Sequence, residues 1–425
     1  MLFINGKFPG PLIEVNRGDR IVVNVTNTMS KNATTIHWHG LFQNGTNWFD
    51  GASGITQCGI PAGQSLVYNF TVANQYGTYW YHSHVGTSYL DGIVGPFIVH
   101  APEEAEARKL YDEERVVMIQ DWYHDLSTVN LVSYLASDNE NAEPIPDNGL
   151  INGASYFNCS SYGADAGYTC FENSTYYVFD LNPNARTRLR FINAGAFAEF
   201  TFSVDNHTLS VIEADGTMIS PSTVHRVPIH VAQRYSVILE TNQSTHTNYW
   251  FRGAMITFCF TGHNDVLDTT TKAVVSYSGS VTTAPDDRLS VDWLDAELTE
   301  CQDLQASALV PLDVIRPPPA TTFWRVDFAF QIGAQQLDRA QINGTSWHPL
   351  VNSTTLQESV MSVQGPNVSV WDMGGRVSAF QSDQFVLGVS PTGVEVVDVL
   401  IYSLDEGAHP FHLHGHAFVS SFPSQ

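Results

Sequence analysis

Three pairs of histidines recur in one arrangement along the 425-residue chain. His37 and His39 stand in HWHG, His82 and His84 in YWYHSHVG, and His412 and His414 in HPFHLHGH, with His409 three residues upstream of the last pair. Residues two apart on an extended strand point to the same face, so each H-x-H presents two imidazoles side by side. Such a pair can serve two adjacent metal ions. Imidazole suits zinc, copper, iron and nickel, and no H-E-x-x-H helix is present, so ligand type alone leaves the metal open. A single H-x-H is most often a surface or hydrogen-bonded pair. Three of them, each beside aromatic and glycine residues in a chain with 16 histidines, point to metal. His416 reads as a supporting residue, and the eight remaining histidines have no partner at ligand spacing.

The elements that must carry these pairs are strands. DRIVVNVTN, QSLVYNFTV, RLRFINA, RYSVILET and VEVVDVLIYSL are short, rich in Val, Ile, Tyr and Phe, and bounded by Gly, Pro, Asn and Asp. The pattern predicts an all-β fold. The one helical candidate is PEEAEARKLYDEER, residues 102–115, whose mixed charge reads as a solvated linker. A second, proline-rich linker follows Gly279 and ends near Pro319. These breaks divide the chain into units of residues 1–101, 102–279 and 319–425, each fit for one β-sandwich, with 280–318 between the last two.

Bulk properties narrow the function. Hydrophobic residues at 43% and charged residues at 15% describe a packed chain. A formal charge of −24 repels nucleic acid and anionic membranes and favours small neutral or cationic partners. No apolar run reaches the roughly 20 residues of a membrane span, so neither a nucleic-acid nor a membrane partner is expected. Eleven N-x-S/T sequons, at Asn24, Asn32, Asn44, Asn69, Asn158, Asn173, Asn206, Asn242, Asn343, Asn352 and Asn367, suit a glycosylated, secreted protein. The N-terminus MLFINGKFPGPLIEV has no signal-peptide pattern, so secretion implies a leader outside this sequence.

HWHG followed by NWFDG and TQC, then GTYWYHSHVGTSYLDGIVGPFIV, then HPFHLHGH, together resemble the multicopper oxidases, specifically the fungal laccase-like branch. The resemblance runs from NGKFPGP through RFINAG and VAQRYSVIL to the end of the chain. It implies three cupredoxin-like Greek-key β-sandwiches, the third incomplete, and four copper ions. Carried over residue by residue, His37 and His412 match ligands of a type 2 copper, His39, His82, His84 and His414 match ligands of a type 3 pair, and His409 matches a type 1 blue-copper ligand. Asp50 matches an acidic residue that tunes the cluster and helps deliver protons to oxygen. Asp205, in TFSVDNHTL, matches the position from which a carboxylate reaches the reducing substrate. The implied reaction is one-electron oxidation of a phenolic reductant coupled to reduction of O2 to water by a secreted monomer.

The family pattern also implies an H-C-H motif beyond HPFHLHGH and a strand before NGKFPGP, so the sequence is expected to be a partial chain without blue colour or phenol oxidation of its own. A naturally shortened, non-catalytic copper-binding protein is the alternative, and a ferroxidase is the alternative among the enzymes. Of five cysteines, Cys159 is expected to pair with Cys170 and Cys259 with Cys301; the family partner of Cys58 lies outside this sequence, so Cys58 is expected to be free.

Overall fold

The computed structural model describes residues 1–137, 139, 142–162, 167–171, 175–277, 284–295, 300–332, 338–364, 383–389, 394–405 and 407–420. The chain is built from strands, as the alternating patterns predict. The first unit carries β1 (Ile13–Asn16), β2 (Arg20–Thr26), β3 (His37–His39), β4 (Ser65–Thr71), β5 (Gly77–His82) and β6 (Val94–His100). They form a four-stranded sheet in the order β1-β6-β5-β3 and a β2-β4 ribbon. The second carries β7 (Glu113–Trp122), β8 (Asn148–Ile151), β9 (Tyr177–Asp180), β10 (Arg186–Asn193), β11 (Phe200–Val204), β12 (Leu209–Ala214), β13 (Thr217–Val224), β14 (Val227–Ile229), β15 (Arg234–Glu240), β16 (Tyr249–Met255) and β17 (Thr270–Ser276). Its sheets run β13-β12-β15-β10-β7-β8 and β14-β11-β16-β17-β9. The third has β18 (Thr322–Ile332), β19 (Asp338–Ile342) and β20 (Val397–Ser403) in the order β19-β18-β20.

The first two units each close on an apolar interior. Trp38, Tyr68, Phe70, Tyr81 and Phe97 fill the first, and Phe191, Phe200, Phe202, Val237 and Phe251 fill the second. A smaller cluster of Trp80, Val94, Met118 and Ile192 joins the two. Beside it lies a buried ionic lock. Glu213 accepts from the Thr78 backbone N–H at 2.8 Å and from the Arg188 guanidinium at 2.7 Å, and Arg188 also donates to Glu104 at 3.0 Å. Burial alone would push the Glu213 carboxyl up, but Arg188 and Arg190 hold it down at about 2.

That lock corrects the expectation for residues 102–115. Pro102–Ala105 and Ala107–Leu110 are short 3-10 turns, and strand β7 already begins at Glu113. Glu104 is fully buried and paired with Arg188, while Glu103, Glu106, Arg108, Lys109 and Asp112 stay exposed, so the expected helix is corrected and the solvated charge holds except at Glu104. Among the described residues the α-helices are Ser127–Tyr134, which starts on Asp91 through hydrogen bonds from the Ser127 backbone and hydroxyl, and Thr355–Gln364. Residues 284–295 and 300–312 pack along the second sandwich. Ser290 donates to Asp205 at 2.7 Å, and the Leu312 N–H donates to the Met218 carbonyl at 2.9 Å. The disulfides Cys159–Cys170 and Cys259–Cys301 are both formed, and Cys58 is free and exposed. The sequons at Asn173 and Asn367 lie outside the described residues.

Candidate metal centre

The strand period sorts the side chains of the first unit. On β3, Trp38 turns into the core beside Tyr68 and Phe70, so His37 and His39 turn to the opposite face. On β5, Tyr79 and Tyr81 join the core, which sends Trp80 and His82 the other way. Antiparallel pairing then sets His37 opposite His82 and His39 opposite Trp80. The third pair arrives from far along the chain on irregular backbone, residues 409–416.

Six of the predicted histidines meet in one cavity of about 260 Å³. His37, His39, His82, His84, His412 and His414 line it with Trp80, Ser83, Gly86, Tyr89, Val231 and Ala232. His39 stacks on His412 with ring centres 3.8 Å apart, and His37 lies 4.1 Å from His414. The donor nitrogens of His37, His39 and His82 fall within 4.8 Å of one another, as do those of His37, His412 and His414. His37 Nε2 and His412 Nε2 approach to 3.4 Å.

Hydrogen bonds decide which nitrogens face inward. His37 Nδ1 donates to the Asp50 carbonyl at 2.7 Å, and His82 Nδ1 donates to the Ser83 carbonyl at 2.8 Å. A carbonyl only accepts, so each Nδ1 carries the proton and each Nε2 keeps its lone pair. His414 Nδ1 lies 2.8 Å from Asp50 Oδ2, and His37 Nδ1 lies 3.3 Å from Asp50 Oδ1. Asp50 therefore fastens a histidine of the first unit to one of the third. Gly51 makes this possible: at φ +88° a Cβ there would sit 2.0 Å from the Ile36 carbonyl oxygen.

The electrostatics match neutral donors. Removal from water pushes His39 and His82 well below the ordinary imidazole value and His84 down to about 4. Neighbouring imidazoles, and Arg234 in the case of His39, act in the same direction. Burial would raise the Asp50 carboxyl, but its hydrogen bonds with His37 and His414 hold it well below the carboxylate range. Lone pairs gathered from several neutral imidazoles, with a carboxylate behind them, repel one another unless a cation sits among them. The set fits a multinuclear site for imidazole-seeking metals.

His409 stands apart from the six. Its Nε2 lies 2.7 Å from Asp405 Oδ2, and its ring packs on Phe328 and Phe330. His416 holds the His414 carbonyl through Nδ1 at 3.1 Å. Asp205 is fully buried, with Arg252 on both oxygens at 2.7 and 2.8 Å and Ser290 on one. A carboxylate so engaged has no oxygen turned toward open space, and its reading as a substrate contact gains no support from this placement. Sequence reasoning passed over Trp80, although its position two before His82 on one strand is the same signal that pairs the histidines. It also missed Val231 and Ala232, which reach the cavity from the turn between β14 and β15 and leave no local sign.

Residues 1–104 and 113–280 match two multicopper oxidase family descriptions. Laccase-1 of Cryptococcus neoformans var. grubii is 35% identical over 428 residues, which cover 98% of this chain and 65% of that protein. The chain thus spans a little under two thirds of that relative's length. The iron transport multicopper oxidase fetC of Epichloe festucae is 35% identical over 99% of this chain and 61% of its own length. Among solved structures, Fet3p, described as a multicopper oxidase that functions in iron import, superposes with a TM-score of 0.79 at 30% identity, covering 97% of this chain and 71% of that one. The laccase of Botrytis aclada gives 0.72 at 33%, with 84% and 62% covered.

Proposed function

Because the chain belongs to the multicopper oxidase family, we propose that its clustered histidines hold copper and that the protein couples one-electron oxidation of phenolic or diphenolic reductants to four-electron reduction of O2 to water. The observation that carries this reading is the 3.4 Å approach of His37 Nε2 and His412 Nε2, from residues 375 apart in sequence. In it, His37 and His412 hold the type 2 copper, His39, His82, His84 and His414 hold the type 3 pair, and His409 belongs to the type 1 site. Bound copper would supply the one-electron redox chemistry.

The chain's own residues bind, orient and exclude. The Asp50 and Ser83 carbonyls fix the tautomers of His37 and His82, so their Nε2 atoms are presented as donors. Trp80, stacked on His82 at 4.3 Å, and Tyr89 take up wall area that water would otherwise wet. Asp50, ionised and hydrogen-bonded to His414, is among the described residues the carboxylate in contact with the six cavity histidines, and it can hold or pass a proton at Oδ2. The domain reading of 1–101, 102–279 and 319–425 belongs to the same proposal, as does a secreted, glycosylated monomer. Among the described residues no helix is long and apolar enough to cross a membrane.

Metal analysis and oxygen uptake on the protein expressed from its own gene test the reading. Bound copper and O2 consumption with a diphenol, both impaired by His39→Gln, are the expected results; a protein that takes up no copper overturns it. The second reading is iron oxidation, favoured by the charge of −24, which attracts a cationic reductant, and by the names of two relatives. Uptake with Fe2+ and none with diphenols would select it.

A further inference from the structure

A second group of metal-ligating side chains gathers away from the histidine cavity, around the Cys259–Cys301 disulfide. Glu199, immediately before β11, is 2% exposed, and its Oε1 has no hydrogen-bond partner among the described residues. Its Oε2 lies 3.9 Å from Cys259 Sγ and 3.4 Å from His230 Nε2. One oxygen of this carboxyl and the two sulfurs all fall within 4.8 Å of one another. Burial, and then the charge of Asp303, push the Glu199 carboxyl up to about 8. A disulfide sulfur has no proton to donate, so while the bond is closed the sulfurs offer Oε1 nothing, and among the described residues the carboxyl is met only by His230 and the Gln302 backbone. A buried oxygen left in that state costs about 1–3 kcal/mol, and such groups call for an explanation.

We infer that reduction of Cys259–Cys301 converts this place into a binding site for a thiophilic divalent cation of the zinc class, held by the two sulfurs and the Glu199 carboxylate. The step balances with a dithiol reductant. The dithiol gives two electrons and two protons, the S–S bond breaks, two thiols form, and the reductant closes its own disulfide. The cation then displaces the protons of Cys259, Cys301 and Glu199 to solvent. Two thiolates and a carboxylate are donors zinc accepts, and a site with three protein ligands keeps a fourth position for water. The cation also neutralises negative charge that could not otherwise remain buried.

The site touches the wall of the histidine cavity. Gln233 Nε2 donates to Asp303 Oδ1 at 2.8 Å, and the His230 N–H donates to Gln233 Oε1 at 2.8 Å. Val231 and Ala232, between them, line that cavity. The exchange of a disulfide for a metal bridge therefore keeps residues 259 and 301 joined beneath this turn.

Cobalt(II) titration reads the proposal without reference to oxidase activity. The protein is reduced anaerobically with dithiothreitol, desalted, and compared with its oxidised form. Reduction should add one Co2+ equivalent with a thiolate-to-cobalt absorption band. That equivalent should persist in C159S/C170S, disappear in C259S/C301S, and weaken at least about 10-fold in Glu199→Gln. Glu199→Gln leaves the disulfide in place, so it decides the matter if the cysteine variant does not fold. No added equivalent on reduction, an equivalent that survives in C259S/C301S, or unchanged affinity in Glu199→Gln would each overturn the site.

Discussion

The two halves of the histidine cavity are built in opposite ways. His37, His39 and His82 sit on paired strands, 1–8% exposed, behind a core of Trp38 and Tyr81. His412 and His414 sit on irregular backbone, with His412 exposed, and they follow a strand, β20, whose residues are largely exposed. The first half is positioned by the fold itself. The second is positioned by what it meets, namely Asp50, the ring of His39 and, in the proposed function, a shared cation. A rigid half and a delivered half let donors from distant segments converge without either segment being built around the other.

The sharpest way to break the rigid half is through its core. Trp38→Ala should cost about 3–5 kcal/mol, the range for deleting a buried indole, and denaturant unfolding measures it. Because His37 and His39 flank Trp38, metal uptake should fall with it. Gly51→Ala comes close behind. The left-handed conformation alone costs about 1–3 kcal/mol, and the contact with Ile36 adds to it, so a drop in Tm accompanied by loss of the Asp50–His414 contact is expected.

The difference also has a pH signature. His39, His82 and His84 have folded-state values below the unfolded value of about 6.5. Below that pH the unfolded chain binds protons the folded chain refuses, so metal-free stability is full above it and falls as pH drops. With His84 at about 4, it alone contributes a loss of roughly 3 kcal/mol by pH 4. Urea titrations of metal-free protein between those limits test the sign. Stability that stays level or rises on acidification would contradict the buried neutral imidazoles.

Smaller effects belong to the delivered half. Asp50→Asn keeps the shape but removes the charge that holds His414, and should weaken metal affinity about 10–100-fold and lower Tm, because a carboxyl held below its ordinary range stabilises the fold at neutral pH. His412→Ala in metal-free protein should shift stability by about 0.5 kcal/mol or less, as for other exposed positions, while its effect on bound metal is large.

The same contrast explains what the sequence made legible. Strand period 2 is a local property, so the facing of His37 with His39 could be read directly, as could strands such as 188–194 and 234–241. His84, by contrast, lies just past the end of β5, and His412 and His414 lie on irregular backbone, against the expectation of a strand under each pair. Trp80 obeys that rule and was overlooked only because indole is not a ligand. Val231 and Ala232 come to the cavity through packing of one sandwich on another, and nothing within a short window records it. Residues 102–115 misled for a related reason. Glu104 looks solvated until Arg188, 84 positions away, is placed against it.

In the proposed function His37 and His412 share one metal ion. Copper stoichiometry and the paramagnetic signal of an isolated copper, recorded on the loaded protein and on His37→Gln, His412→Gln and the double variant, test it most directly. The account predicts that each single variant loses the same copper and the double variant loses no more. Losses that add, one copper for each histidine, would contradict it.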